Sequence, residues 1–152
     1  MDKIKIYIKS ILIPVIVGGI VGFIISGVID YEILKKPFLA PPSIAFPIVW
    51  TVLYILMGIS YGILKNNNQT DSEIDLIYYL QLGVNALWSI FFFVLKWRLF
   101  AFIWILALAV LVVLMIAKFY RRNKIAGLIQ IPYLIWVLFA SYLNIAIYIL
   151  NK

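Results

Sequence analysis

The feature that most constrains this chain is the spacing of its charges. Lys, Arg, Asp and Glu cut it into five uncharged runs: Ser10–Ile29, Pro37–Leu64, Leu76–Leu95, Leu99–Ala117 and Ile125–Asn151. A helix needs about 20 apolar residues to cross the hydrocarbon of a bilayer. Each run meets or nearly meets that length. The runs are continuously apolar rather than alternating, which points to helices and away from the strands of a membrane barrel. Composition agrees, with 66% of the 152 residues hydrophobic and 12% charged. A soluble domain carries about 25% charged residues and cannot hide so much apolar surface. The expected fold is an all-α integral membrane protein, a five-transmembrane-helix bundle forming a single domain. Its helices are expected near 6–29, 47–64, 75–95, 99–119 and 125–150.

The first run follows Lys3, Lys5 and Lys9, as a signal peptide would. It is too long for an h-region and no small-residue cleavage site ends it, so it reads as a retained helix. The second run is too long for one helix. Pro37, Pro41 and Pro42 crowd its start, and proline disfavours helix in the residue before it. Asp30–Phe46 is therefore expected as a long structured loop, with the next helix beginning near Pro47. Long ordered loops tend to be functional. Lys65–Asp75, Lys96–Arg98 and Lys118–Lys124 read as short polar connections. No internal repeat supports an inverted-repeat transporter.

The net charge is +7. No basic and aromatic stripe lies on a soluble element, so nucleic acid is not an expected partner. The basic residues read as topology signals in loops. Eight fall at the N-terminus and in the second and fourth loops, against five elsewhere, which favours a cytoplasmic N-terminus.

The chain has no Cys and no His. Disulfides, thiol catalysis, Cys/His zinc sites, histidine-ligated haem and a Ser-His-Asp triad are excluded. The spans also lack the carboxylates that ion-coupled carriers use. What they do carry is rings and amides at helical spacing. Trp50, Tyr54, Met57 and Tyr61 share one face; Gln81, Asn85, Trp88 and Phe92 share another; Tyr133, Trp136, Ala140 and Asn144 share a third. Amides in hydrocarbon need partners, so Gln81, Asn85 and Asn144 should point into the bundle. Taken singly, Asn144 reads best as interhelical glue. Trp97 and Trp104 read as interfacial anchors. Trp50, Trp88 and Trp136 differ because they lie on the amide-bearing faces. Together the faces could line an apolar pocket with a few polar points. Gly18, Gly22 and Ser26, and Gly58 with Gly62, recur every four residues and suit close helix packing.

Several segments resemble the translocator protein family, the TspO/MBR group of tryptophan-rich sensory proteins. Pro37–Pro42 followed by Phe46–Gly58 is similar to the family's first loop and second helix. Gln81–Ser89 resembles its third-helix motif. Pro132–Trp136, with Phe139-Ala140 and Leu143-Asn144, resembles its fifth-helix motif. The resemblance covers nearly the whole chain after residue 30. It implies a multi-pass protein, of bacterial cell membrane type, with a cavity under the first loop. It also implies homodimers and hydrophobic planar ligands, protoporphyrin IX and synthetic drug-like molecules among them, without a resident cofactor. The implied ligand-binding residues are Trp50, Asn85, Trp88, Phe91, Phe92, Trp136, Ala140 and Asn144, with Tyr31 and Pro41 as a lid.

Ring stacking on a flat macrocycle suits those side chains, and the Asn85 amide could fix a ligand carbonyl or carboxylate. The absence of His and Cys fits a metal-free porphyrin better than haem. Bacterial relatives are associated with light-dependent porphyrin degradation. No conventional catalytic site is visible here, but Trp50 and Trp136 are oxidisable side chains suited to photo-redox exchange. Movement of porphyrins or lipid-like molecules across the membrane is the alternative function. Two departures from the family stand out. Ile145 replaces the Tyr of the sterol motif, leaving only the pattern Leu143, Tyr148, Lys152. Gly83 is followed one turn later by bulky Leu87, which does not suit the family's third-helix dimer packing.

Overall fold

The computed structural model describes residues 2–152. Six α-helices follow in order: α1 Asp2–Ile25, α2 Ala45–Asn66, α3 Ser72–Ser89, α4 Arg98–Arg122, α5 Lys124–Ile129 and α6 Ile131–Asn151. A 3-10 turn, Tyr31–Ile33, lies in the first connection, and α3 continues into a π-helical stretch, Ile90–Val94. Taking α3 with that stretch, and α5 with α6, the chain has five spans long and apolar enough to cross a membrane. The described residues contain no strand.

Helix ends depart from the charge pattern for local reasons. α1 starts at Asp2 and ends at Ile25, because lysines break the apolar run without breaking the helix. A turn closes it, with the Ser26 hydroxyl donating to the Phe23 carbonyl at 2.8 Å. α2 begins at Ala45, so Pro47 sits inside the first turn. An N–H there would lack a helical partner in any case. α4 runs on to Arg122 and leaves Asn123 alone as the connection. The Asn123 side chain caps α5 by accepting from the Ile125 and Ala126 amides. The fifth span breaks just before Pro132, which has no N–H to continue the ladder. The Gln130 carbonyl accepts instead from Tyr133 and Leu134, at 3.1 and 3.3 Å.

α1 packs on α2, α3 on α4, α2 on α5, and α4 on both α5 and α6. Glycine decides the closest of these approaches. A Cβ added at Gly58 would lie 2.4 Å from the Ile11 Cα. One at Gly62 would meet the Tyr7 ring, and one at Gly18 the Tyr54 ring. These three glycines serve packing within the chain. Gly22 does not, contrary to its periodic pairing with Gly18. The antiparallel register of Tyr7 with Gly62, Ile11 with Gly58 and Gly18 with Tyr54 has ended before it, and nothing lies within 4 Å. Gly83 also faces open space.

The two ends of the bundle are tied differently. At one end the second and fourth connections interlock. Gln69 donates to the Arg122 carbonyl at 2.5 Å, and the Arg122 guanidinium meets Asp71 at 2.8 Å. Asp71 also caps α3, accepting from the Ile74 amide at 3.0 Å. That bond, with Arg122, holds the Asp71 carboxyl below the usual carboxylate range. At the other end the first loop is fastened to α4 and α6. The Arg98 guanidinium approaches both Asp30 oxygens at 2.7 Å. Asn151 pairs with the Lys35 backbone in both directions, and Tyr142 donates to the Phe38 carbonyl at 2.7 Å.

Because the Gly58 site is closed by backbone, Gly58→Ala should destabilise the protein by about 1–3 kcal/mol. Gly22→Ala should be neutral or slightly stabilising, since alanine favours helix. Unfolding of both variants in the same detergent checks the contrast.

Candidate functional site

Four polar side chains of the spans are spent on one another. Tyr54 of α2 donates to Asn85 Oδ1 at 2.6 Å. Asn85 Nδ2 donates to the Tyr133 hydroxyl of α6 at 2.7 Å, and that hydroxyl donates to Gln81 Oε1 at 2.7 Å. Gln81 Nε2 then donates to the Tyr78 carbonyl at 2.8 Å. The chain joins α2, α3 and α6, and all four side chains are buried. Asn144 acts in the same way between other elements. Its Oδ1 accepts from the Trp88 indole at 2.9 Å, and its Nδ2 donates to the Arg98 carbonyl at 2.8 Å. All three amides point inward, as the cost of an unpaired amide in lipid requires. In this arrangement both atoms of the Asn85 amide are engaged by tyrosine hydroxyls.

Above this network, under the first loop, the rings form two adjoining groups. The first surrounds a small cavity of about 20 Å³. Tyr31, Trp88, Phe92, Ala140 and Asn144 line it. Trp88 and Phe92 stack at 5.2 Å, and the Arg98 guanidinium lies 4.9 Å from the Phe92 ring. The second group is built on the two indoles. Trp50 and Trp136 meet edge to face at 6.4 Å, and Trp50 stacks on Tyr54 at 5.7 Å. Phe46 joins the groups. Its ring lies 4.9 Å from Tyr31 and 5.8 Å from Trp136, and it lines the cavity. Among the described residues the Trp136 indole N–H is buried without a partner.

The lid residues are braced inside the loop. Tyr31 is 3% exposed and donates to the Pro41 carbonyl at 2.6 Å. Burial, with Glu32 beside it, pushes the Tyr31 phenol above its ordinary pKa and keeps it a donor.

Two placements differ from expectation. Phe91 does not face the cavity. It packs at 4.9–6.1 Å on Trp97, Phe100 and Trp104, against the start of α4. On an α-helix Phe91 already lies well off the face shared by Gln81, Asn85, Trp88 and Phe92, whereas Phe92 and Phe93 reach the cavity. Trp104 is also more than an interfacial anchor, because its indole donates to the Val84 carbonyl of α3 at 2.8 Å. Phe46, Phe93, Leu143 and Ile147 were not singled out from sequence, yet all border the cavity. For Leu143 and Ile147 the signal was present, since they follow Ala140 at helical spacing on α6. Leu143 being buried also removes it from any lipid-facing sterol pattern.

The network yields a stability expectation. Asn85→Ala should cost about 1–3 kcal/mol, because it strands the buried Tyr54 hydroxyl and removes a donor from Tyr133. Tyr133→Phe should cost less than its own sum with Asn85→Ala when the two are combined, since both act in one network. Chemical unfolding of the single and double variants measures this coupling.

The comparisons with known proteins come down on one side. The model of the TspO/MBR family matches residues 10–150. The tryptophan-rich protein TspO of Archaeoglobus fulgidus is 41% identical, over 99% of each chain. That of Chlorobaculum tepidum is 38% identical over 80% of this chain and 78% of its own. Protein CrtK of Rhodobacter capsulatus is 34% identical over 88% and 86%. With five spans of membrane length and this match over nearly its whole length, the chain is a multi-pass integral membrane protein and belongs to the TspO/MBR family.

Proposed function

We propose that this protein binds flat, hydrophobic tetrapyrroles, with protoporphyrin IX as the model ligand, between the first loop and the aromatic faces of α2, α3 and α6. The observation that carries the reading is the buried, unpartnered indole N–H of Trp136, set among the rings of Phe46, Trp50 and Phe139. A buried donor without an acceptor is costly. A ligand bearing ring nitrogens or carboxylates would relieve that cost while stacking on the indoles.

The closed cavity has room for about one water and none for a macrocycle. Binding therefore requires Phe46 and the loop to move. The loop is held by polar contacts, Arg98 to Asp30 and Tyr142 to the Phe38 carbonyl, together with Tyr31 and Leu34 packed on the core. Arg98 is well placed to exchange the Asp30 carboxylate for one on the ligand. The cell membrane, a homodimer and photo-oxidation through Trp50 and Trp136 go with this reading.

Titration with protoporphyrin IX should quench tryptophan fluorescence saturably. Trp50→Ala combined with Trp136→Ala should weaken binding by about tenfold or more, read by the porphyrin's own absorbance shift. Equal affinity in that double variant overturns the site. Illumination of the complex tests the photochemical part. Porphyrin decay no faster than in detergent alone removes it.

A further inference from the structure

At the end of the bundle far from the first loop, α1, α2 and α3 enclose a second and larger cavity, of about 110 Å³. We propose that it is a binding site for the headgroup of an anionic membrane phospholipid. Two lysines open onto it, Lys9 of α1 and Lys65 of α2. Neither has an ion-pair partner among the described residues, although four other ion pairs form in the chain. The deeper wall is Tyr78, which is 1% exposed and whose hydroxyl has no hydrogen-bond partner. Its neighbour Tyr61 stacks on it at 4.5 Å, but donates its own hydroxyl to Asp75 at 2.6 Å. The lining thus offers two ammonium groups and one buried phenol. The nearby carboxylate, Asp75, is already engaged by Tyr61.

The depth of these groups matches a lipid. Lys9 immediately precedes the first charge-free run, and Lys65 immediately follows the second. Both therefore stand at the level where hydrocarbon gives way to headgroups. Tyr78 lies one turn further into α3 than Asp75, at the depth of the glycerol esters. A phosphate between the ammonium groups, with an ester carbonyl accepting from Tyr78, satisfies all three donors. Ile6 and Ile13 of α1 form the apolar flank of the opening, where an acyl chain would leave. α1 itself is the least covered span, with 11% of its apolar window buried. Its outward stripe of Ile4, Ile8, Leu12, Ile16 and Ile20 already faces lipid. Two unpaired positive charges against one engaged carboxylate favour an anionic over a zwitterionic headgroup.

The full chain, delipidated in a neutral detergent, is titrated with phosphatidylglycerol and with phosphatidylcholine, and retained lipid is counted by native mass spectrometry. One phosphatidylglycerol should be held with about tenfold preference over phosphatidylcholine. Lys9→Ala with Lys65→Ala should abolish that preference, while the charge-matched Lys3→Ala with Lys5→Ala should keep it. Tyr78→Phe should weaken ester-linked phosphatidylglycerol and leave its ether-linked analogue unchanged. Equal retention of the two lipids overturns the proposal. So does equal loss in both lysine pairs, which would mean attraction to net charge rather than a site. Porphyrin binding is expected to survive in the Lys9, Lys65 variant, so the two sites fail independently.

Discussion

The bundle depends on one chain of hydrogen bonds that crosses its middle. Tyr54, Asn85, Tyr133 and Gln81 link α2, α3 and α6 where no water is at hand to replace a lost partner. In lipid, apolar side chains gain little by meeting one another, so packing and internal hydrogen bonds must hold helices together. The network supplies the second of these, and the glycine contacts between α1 and α2 supply the first. The division is visible in the helices themselves. α1, which contributes nothing to the network, is fastened by close backbone approach and remains mostly open to lipid.

Spending the amides on structure leaves few polar groups free around the cavity under the first loop. Asn85 and Asn144 are both committed, which leaves ring faces, the Trp136 N–H and the Arg98 guanidinium around it. The chamber is also kept closed by its own rings. Phe46 touches Tyr31 on one side and Trp136 on the other. Opposite this chamber, Lys9, Lys65 and Tyr78 form a cluster of a different chemistry, facing the other membrane boundary.

Much of this was legible along the chain. The five spans follow from charge spacing alone, and Gln81, Asn85 and Asn144 face inward because their chemistry permits nothing else. The ring faces of α2 and α6 were readable from spacing by three and four. Phe91 lay outside those spacings, and only the family resemblance suggested it for the cavity, which it does not line. Phe46 was missed because the helix was expected to begin near Pro47, whereas α2 begins at Ala45 and puts Phe46 one turn before Trp50. Trp104 read as an anchor because the carbonyl it meets, that of Val84, lies 20 residues away in sequence.

What the sequence by itself determined is the solvent of this protein, its helix count and its family, since charge spacing, apolar length and motif order are all local quantities. Tertiary structure decided which polar groups are free. Asn85 and Trp88 looked available and are paired, whereas Trp136 and Tyr78 keep a buried donor without a partner. Whether a donor is satisfied depends on residues brought together from distant helices, and on where α1, α2 and α3 leave room between them. No local pattern encodes that, so the site between α1, α2 and α3 had to be found in three dimensions.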